Sequence, residues 1–150
     1  MTGTTPAAWN DPAKGSELAK SQFDRGADVV YAAAGGTGAG VYQAAADSGK
    51  LAIGVDSNQN YMHPGTMLTS MLKRVDLATY ETFMDVKSGN FTSGVKVLGL
   101  AEDGVGWAFD EYNKPLITDV MKSTINGLSD KVKSGSCLLY TSPSPRDRIS

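Results

Sequence analysis

Residues 28–59, DVVYAAAGGTGAGVYQAAADSGKLAIGVDSNQ, decide the fold of this chain. The apolar runs at 29–33 and 51–55 are continuous instead of alternating, which is typical of parallel strands covered by helices on both faces. Between them, a glycine-rich turn leads into a helix of small residues. The stretch therefore predicts a strand–helix–strand unit in an α/β protein. We expect a ligand site at the carboxyl edge of its sheet, where open α/β sheets bind their ligands.

Composition restricts the class of protein. The chain has 150 residues, of which 41% are hydrophobic, and a net charge of −2, as expected for one globular domain. Basic and acidic residues are scattered without a block of either sign, so nothing indicates a nucleic-acid partner. No charged start followed by an apolar stretch precedes the folded pattern, and we expect no secretory signal in this sequence.

Both ends of the sequence carry their own signals. Asp11 is a natural N-cap with Pro12 at the first helical position, and Gly26 closes this first helix. Since no strand precedes that helix, we expect the chain to begin inside a longer doubly wound domain. Residues 137–147, CLLYTSPSPRD, look like a translated sequencing adapter. We therefore expect 137–150 to be an artefactual tail, with a Pro/Ser-rich disordered tail as the alternative.

The rest of the apolar pattern predicts two helices and three strands. Residues 67–72 are a predicted strand, and 95–100 and 105–109 are two more, joined as a hairpin by the turn at 102–104. Thr118 is predicted to cap the last helix. Another helix, ending at Ser88 and Gly89, has the predicted inner face Val75, Leu77, Ala78, Tyr80, Phe83, Met84 and Val86.

The glycine loop matches neither common phosphate-binding motif. Counted from Gly36, the dinucleotide fingerprint needs a glycine where Val41 stands, and the phosphate loop needs a lysine there. A kinase or a nicotinamide-dependent enzyme is therefore disfavoured. Tight packing without any ligand is the alternative role for Gly35 and Gly36.

Two charged residues follow predicted strands at the same sheet edge. The Asp56 carboxylate can accept hydrogen bonds from a vicinal diol of a sugar, or it can cap its own loop as an Asx-turn. Spacing alone does not separate these two roles. Lys73 can donate to a ligand, but a lone lysine of this kind is usually a solvated surface charge.

Trp9 stands in a polar loop just before the N-cap of the first helix. Its ring can stack on a planar base or a sugar face, which contributes about 0.5–1.5 kcal/mol beyond the buried area. A hydrophobic staple against the helix start is the alternative. His63 is the only histidine, and no nucleophile or metal-ligand pattern accompanies it. The residues therefore favour binding over catalysis, without a cofactor.

Five motifs in order resemble the basic membrane protein (Bmp) family, the purine-nucleoside-binding lipoproteins of bacterial ABC importers. They are WNDPAKG at 9–15, GADVV at 26–30, AAGGTG at 33–38, AIGVDS at 52–57 and TSMLKRVD at 69–76. The resemblance covers residues 2–136. It implies a type I periplasmic-binding-protein fold, in which two α/β lobes close around a ligand, with residues 1–136 as a partial second lobe.

The resemblance also implies roles for particular residues. Trp9 would stack on the purine, Gly35 or Gly36 would bring backbone to the ligand, Asp56 would take ribose hydroxyls and Lys73 would add a hydrogen bond. The implied partners are a purine nucleoside and ABC permease subunits, and the membrane is reached only through a lipid anchor on an extracytoplasmic protein. The alternative is the ligand-sensing lobe of a cytoplasmic transcription regulator with the same fold.

Overall fold

The computed structural model describes residues 4–137, so nearly all of the tail at 137–150 lies outside the described residues. Short 3-10 turns occupy Pro6–Trp9, Gly35–Thr37 and Asn60–Met62. In chain order the regular elements are α1 (Pro12–Asp24), β1 (Val29–Tyr31), α2 (Gly38–Asp47), β2 (Leu51–Gly54), β3 (Met67–Lys73), α3 (Val75–Ser88), β4 (Val105–Trp107) and α4 (Asp119–Lys133).

A four-stranded, mostly parallel sheet organises residues up to Thr118. The strand order is β1-β2-β3-β4, with β1, β2 and β3 parallel and β4 antiparallel to β3. The predicted α/β class and the strand–helix–strand unit at 28–59 are therefore confirmed. The start of α1 also agrees, because Asp11 Oδ1 accepts a hydrogen bond from Lys14 N at 2.9 Å.

One face of the sheet is more deeply buried than the other. The core joins α1, α2 and the first three strands, and its buried members are Ala19, Phe23, Ala32, Val41, Tyr42, Ala44, Ala45, Ala52 and Met67. Alternate positions of the strands are more open. Val29 and Tyr31 of the edge strand β1 are exposed, and Leu51 and Ile53 of β2 are half-buried. Among the described residues, the second face is therefore only partly covered.

Glycines let α1 and α2 approach to backbone contact. A Cβ on Gly40 of α2 would lie only 1.8 Å from the carbonyl oxygen of Pro12, and one on Gly15 of α1 would lie 2.4 Å from that of Thr37. Real Cβ atoms do not come so close to backbone, so both positions exclude any larger residue. This contact places the start of α1, and the turn before it, against the glycine loop.

The predicted strand at 95–100 and its hairpin are wrong. Residues 95–100 carry no strand assignment, and Val95 and Val97 are almost fully exposed. The turn at 102–104 forms, with Gly104 N donating to Gly99 O at 2.9 Å. It leads into β4, which pairs with β3 instead of with the preceding segment. A strand is defined by its partner's backbone, which an apolar run does not specify.

Helix α3 ends as predicted, but its predicted inner face is not buried. Gly89 adopts the left-handed conformation at the C-cap, with φ 76°, which glycine favours. No residue of α3 is fully buried, and most of the predicted inner face is exposed, including Val75, Tyr80 and Phe83. Periodicity identified the apolar stripe correctly, but burial depends on a neighbouring element that the pattern does not supply.

A separate compact unit begins at Asp119. Its described part consists of α4 and the residues that follow it to 137. The helix begins directly after Thr118, where the cap was predicted, and none of its residues is fully buried. Within the described range, no helix combines the length and apolar character needed to cross a bilayer.

Replacing Gly40 with alanine tests the contact between α1 and α2. Helix propensity alone would make Gly40→Ala stabilising by about 1 kcal/mol. The backbone contact reverses that sign, and we expect urea unfolding to show a loss of about 1–3 kcal/mol from overpacking. Gly106→Ala in β4 is the matched control, because nothing lies within 4 Å of its Cβ position. Equal stability of the two variants would contradict the close approach.

Candidate functional site

A pocket of about 160 Å³ opens at the carboxyl edge of the parallel strands. It brings together four of the five predicted site residues, Trp9, Gly35, Asp56 and Lys73. The remaining lining residues, which the sequence reasoning missed, are Ala33, Ala34, Val55 and Met71. All four lie within the motifs quoted above, which is the signal that could have identified them.

Trp9 and Gly35 form one wall of the pocket. Trp9 ends the 3-10 turn at Pro6–Trp9, and 49% of its surface is exposed. Gly35 has a positive φ of 56°, and a Cβ there would lie 3.0 Å from Trp9 O and 3.7 Å from the ring atom Cε3. Glycine is therefore required both by the backbone conformation and by the approach of the tryptophan.

Gly36 lies outside the pocket lining. A Cβ at this position would come within 2.8 Å of the Asn10 side-chain oxygen. Of the two glycines named as alternatives for backbone approach to a ligand, Gly35 is thus the one that faces the pocket. Gly36 instead allows the loop to pack against the segment before α1.

Asp56 and Lys73 line the same pocket as an ion pair. Lys73 Nζ lies 2.6 Å from Asp56 Oδ1, and both side chains are about half exposed, at 57% and 52%. The pair is reinforced by the backbone, where Lys73 N donates to Asp56 O at 2.9 Å. Neither Ser57 nor Asn58 donates its backbone N–H to this carboxylate within the described residues; Ser57 N bonds to Val55 O instead. The Asx-turn alternative for Asp56 is therefore not what the structure shows.

The ion pair also affects the titration of the lysine. The hydrogen bond and the charge of Asp56 raise the pKa of Lys73 above its ordinary value. Lys73 therefore keeps its positive charge throughout the neutral range. The pocket thus offers a carboxylate and an ammonium side by side.

Gln59 and Tyr42 hold the end of β2 in place. Asp56 itself has a positive φ of 70°, a conformation that Asp and Asn tolerate better than most residues. One residue earlier, Val55 N donates to Gln59 Oε1 at 3.0 Å, and the Tyr42 hydroxyl donates to the same oxygen at 2.8 Å. Tyr42 is 1% exposed, and its burial, followed by the Asp56 charge, raises its pKa.

A buried amide network supports the loop that follows Asp56. Ser70 Oγ accepts from Gln59 N at 3.0 Å and donates to Asn60 Oδ1 at 2.8 Å. Asn60 is fully buried, and its amide donates to Asp110 Oδ2 at 3.2 Å, where Asn58 Nδ2 also donates at 2.6 Å. The loop after β2 is thereby tied to β3 and to the segment after β4.

Asp110 is the charged centre of that network. Burial pushes its pKa upward, but hydrogen bonds from the Asn58 amide, Tyr112 N and the Asn60 amide outweigh it, so the pKa of Asp110 lies below its ordinary value. A carboxylate that accepts several N–H groups is stabilised in its charged form. The network is therefore intact at neutral pH and weakens in acid.

A second groove adjoins the pocket and shares the ion pair. It has a volume of about 560 Å³, and its lining includes Asp56, Lys73, Arg74 and Asp76. The Arg74 guanidinium and the Asp76 carboxylate are paired, with Nη2 and Oδ2 2.9 Å apart. In the part of the chain that the structure describes, no group of His, Cys, Asp and Glu is placed to hold a metal ion.

Comparison with known proteins identifies the family. Residues 5–138 match the family described as Bmp, ABC transporter substrate-binding protein PnrA-like. The chain belongs to the Bmp family. Among its relatives, basic membrane protein D of Borreliella burgdorferi is 35% identical over 127 residues, covering 76% of this chain and 37% of that protein. An uncharacterized lipoprotein of Pyrococcus abyssi is 30% identical, over 93% of this chain and 42% of its own length.

Solved structures agree with this Bmp assignment. An ABC transporter solute-binding protein from Aeropyrum pernix K1 superposes with a TM-score of 0.76 at 25% identity, over 92% of this chain and 47% of that one. A transcriptional activator of the comK gene from Bacillus halodurans has a TM-score of 0.79 over 89% of this chain and 46% of its own, but at 23% identity the likeness shows the fold alone. The chain thus spans less than half the length of these relatives. The family resemblance and the α/β fold with a mostly parallel sheet are confirmed.

Acid titration of an Asp110→Asn variant tests the network. A pKa lowered by folding contributes stability that is present above the ordinary carboxyl pKa and is lost as pH falls through the folded value. We expect Asp110→Asn to be less stable than the parent at neutral pH, with the difference in urea unfolding shrinking as the pH falls below the ordinary carboxyl pKa. Glu111→Gln removes a neighbouring exposed charge and is the control. A difference that does not change with pH would contradict this role.

Proposed function

We propose that this chain supplies one wall of a purine-nucleoside site in the substrate-binding protein of an ABC importer. The proposal rests on one pocket, which is lined by an aromatic ring, a glycine in close contact with it and an ion-paired carboxylate. The family description supports a solute-binding role. The lipoprotein names of relatives support an extracytoplasmic protein held to the membrane by a lipid anchor.

The pocket chemistry fits a nucleoside with a base and a diol. The half-exposed Trp9 ring offers a face on which a planar purine can stack. In the same pocket, Lys73 Nζ contacts Oδ1 of Asp56 at 2.6 Å. Because a carboxylate has about four lone-pair sites, acceptor capacity is left for the two adjacent ribose hydroxyls. Lys73 can then donate to a ring nitrogen or hydroxyl from the same rim.

The pocket is too small to enclose such a ligand by itself. Ligand sites usually measure about 300–1,000 Å³, whereas this one measures about 160 Å³. A nucleoside would therefore be only partly buried on this wall. We expect the 150-residue chain alone to bind nucleosides weakly or not at all, and the other wall to be supplied by the rest of a full-length protein.

The mechanism we propose is capture without chemical change. An open cleft admits the nucleoside, and contacts that both walls make with it favour the closed form, which docks on the permease. A ligand shifts such an equilibrium only by its difference in affinity for the two forms. Trp9 and Asp56 are the contacts on this wall that would provide that difference.

Comparing the free base with the nucleoside tests the roles of Trp9 and Asp56 individually. In the full-length protein, we expect Asp56→Ala to weaken adenosine or inosine binding by about ten- to a hundredfold, because hydrogen bonds to a charged group are lost. Binding of the free purine base should change little. Trp9→Ala should weaken binding of the free base and of the nucleoside alike, by about two- to tenfold. Isothermal titration calorimetry measures both.

A matched ion pair provides the control. Lys50 Nζ lies 2.6 Å from Asp28 Oδ1, outside the pocket, so Asp28→Ala removes a comparable surface pair and should leave affinity unchanged. A thermal-shift panel of purine and pyrimidine nucleosides, free bases and pentoses then defines the ligand. Stabilisation by pentoses alone, or tight nucleoside binding by the isolated chain, would overturn the proposal.

A further inference from the structure

Thr37 is a buried threonine inside the glycine loop, and it does not line the pocket that contains Trp9. It lies between Gly36 and Gly38, and only 2% of its surface is exposed. Its Oγ1 donates to Ala8 O at 2.8 Å and accepts from Asp11 N at 2.8 Å. Both partners belong to the segment that carries Trp9, one before the tryptophan and one after it. A single side chain is therefore hydrogen-bonded to the backbone on either side of Trp9.

The Thr37 side chain is itself held in one orientation. A Cβ on Gly15 would lie 2.9 Å from its methyl carbon Cγ2, so helix α1 packs closely on the methyl group. Threonine is also stiff about its first torsion because it is branched at Cβ. With the methyl packed and the hydroxyl bonded twice, the Oγ1 position is fixed relative to the loop.

Hydrogen bonds to the backbone on either side of Trp9 help to place this half-exposed residue. With 49% of its surface exposed, apolar burial provides only part of what places it. Trp9 lines the same pocket as Asp56, and a displacement of its ring would change the face available for stacking. Buried hydrogen bonds to the flanking backbone restrict such displacement more strongly than contacts at the surface.

We propose that Thr37 is a positioning residue for ligand binding, which acts by fixing the Trp9 segment against the glycine loop. The inference rests on the proposed nucleoside site for its effect on affinity, but its structural part is independent of any ligand. Thr37 does not line the pocket, and it acts through the backbone on either side of Trp9. Loss of its hydroxyl should therefore loosen Trp9 before it disturbs the rest of the pocket.

The test measures the fluorescence of Trp9 itself. The chain contains two tryptophans, so a full-length protein in which Trp107→Phe and any tryptophans outside this sequence are replaced leaves Trp9 alone. Thr37→Val keeps the shape and removes the hydroxyl, and Thr37→Ser keeps the hydroxyl. We expect Thr37→Val to raise acrylamide quenching and lower the anisotropy of Trp9, and Thr37→Ser to restore both. Nucleoside affinity should fall about two- to tenfold in Thr37→Val.

Thr69→Val is the matched control for a general loss of stability. Thr69 Oγ1 also donates to a backbone carbonyl, that of Ala108, at 2.8 Å, and it does not line the Trp9 pocket. It should leave the Trp9 signals unchanged. Parent-like Trp9 signals in Thr37→Val, or identical signals in Thr37→Ser and Thr37→Val, would overturn the proposal. A loosened Trp9 with unchanged nucleoside affinity would overturn its functional part, whereas a parent that binds no nucleoside would refute only the proposed function.

Discussion

The close approach of two helix starts is the constraint on which the site depends. Gly15 and Gly40 allow α1 and α2 to meet backbone to backbone, and no other residue type fits there. This contact sets the glycine loop beside the segment before α1. Trp9 can then lie over Gly35, and Thr37 can bond to both sides of it. The position of Trp9 in the pocket thus follows from the packing between helices and not from the glycine loop alone.

The local part of this arrangement could be predicted from the sequence. The unit at 28–59 is contiguous, so its apolar runs, glycines and terminal acid carry the information for a strand, a turn and a helix. Edge placement of Asp56 and Lys73 followed from the rule that parallel strands end together. Their direct ion pair could not be predicted, because side chains at the ends of two different strands can share a sheet edge without contacting each other.

The failures share a physical cause, which is dependence on distant partners. The segment at 95–100 has the composition of a strand but no strand pairing, and α3 has an apolar stripe but no fully buried residue. Thr37 was overlooked because its hydrogen-bond partners, Ala8 and Asp11, precede it by 29 and 26 residues. Likewise, the shared fold of transporter proteins and a transcriptional activator shows that function is read from the site and not from the architecture.

The pairing of charges around the pocket limits the electric field that reaches into solvent. Asp56 is neutralised by Lys73 at 2.6 Å, and Arg74 beside it by Asp76 at 2.9 Å. Paired charges leave little net field beyond about 10 Å in ordinary salt. Long-range steering therefore contributes little at this rim, and ions gain no advantage over uncharged molecules in reaching it. The electrostatic contribution of this rim to the approach of any molecule therefore depends little on ionic strength.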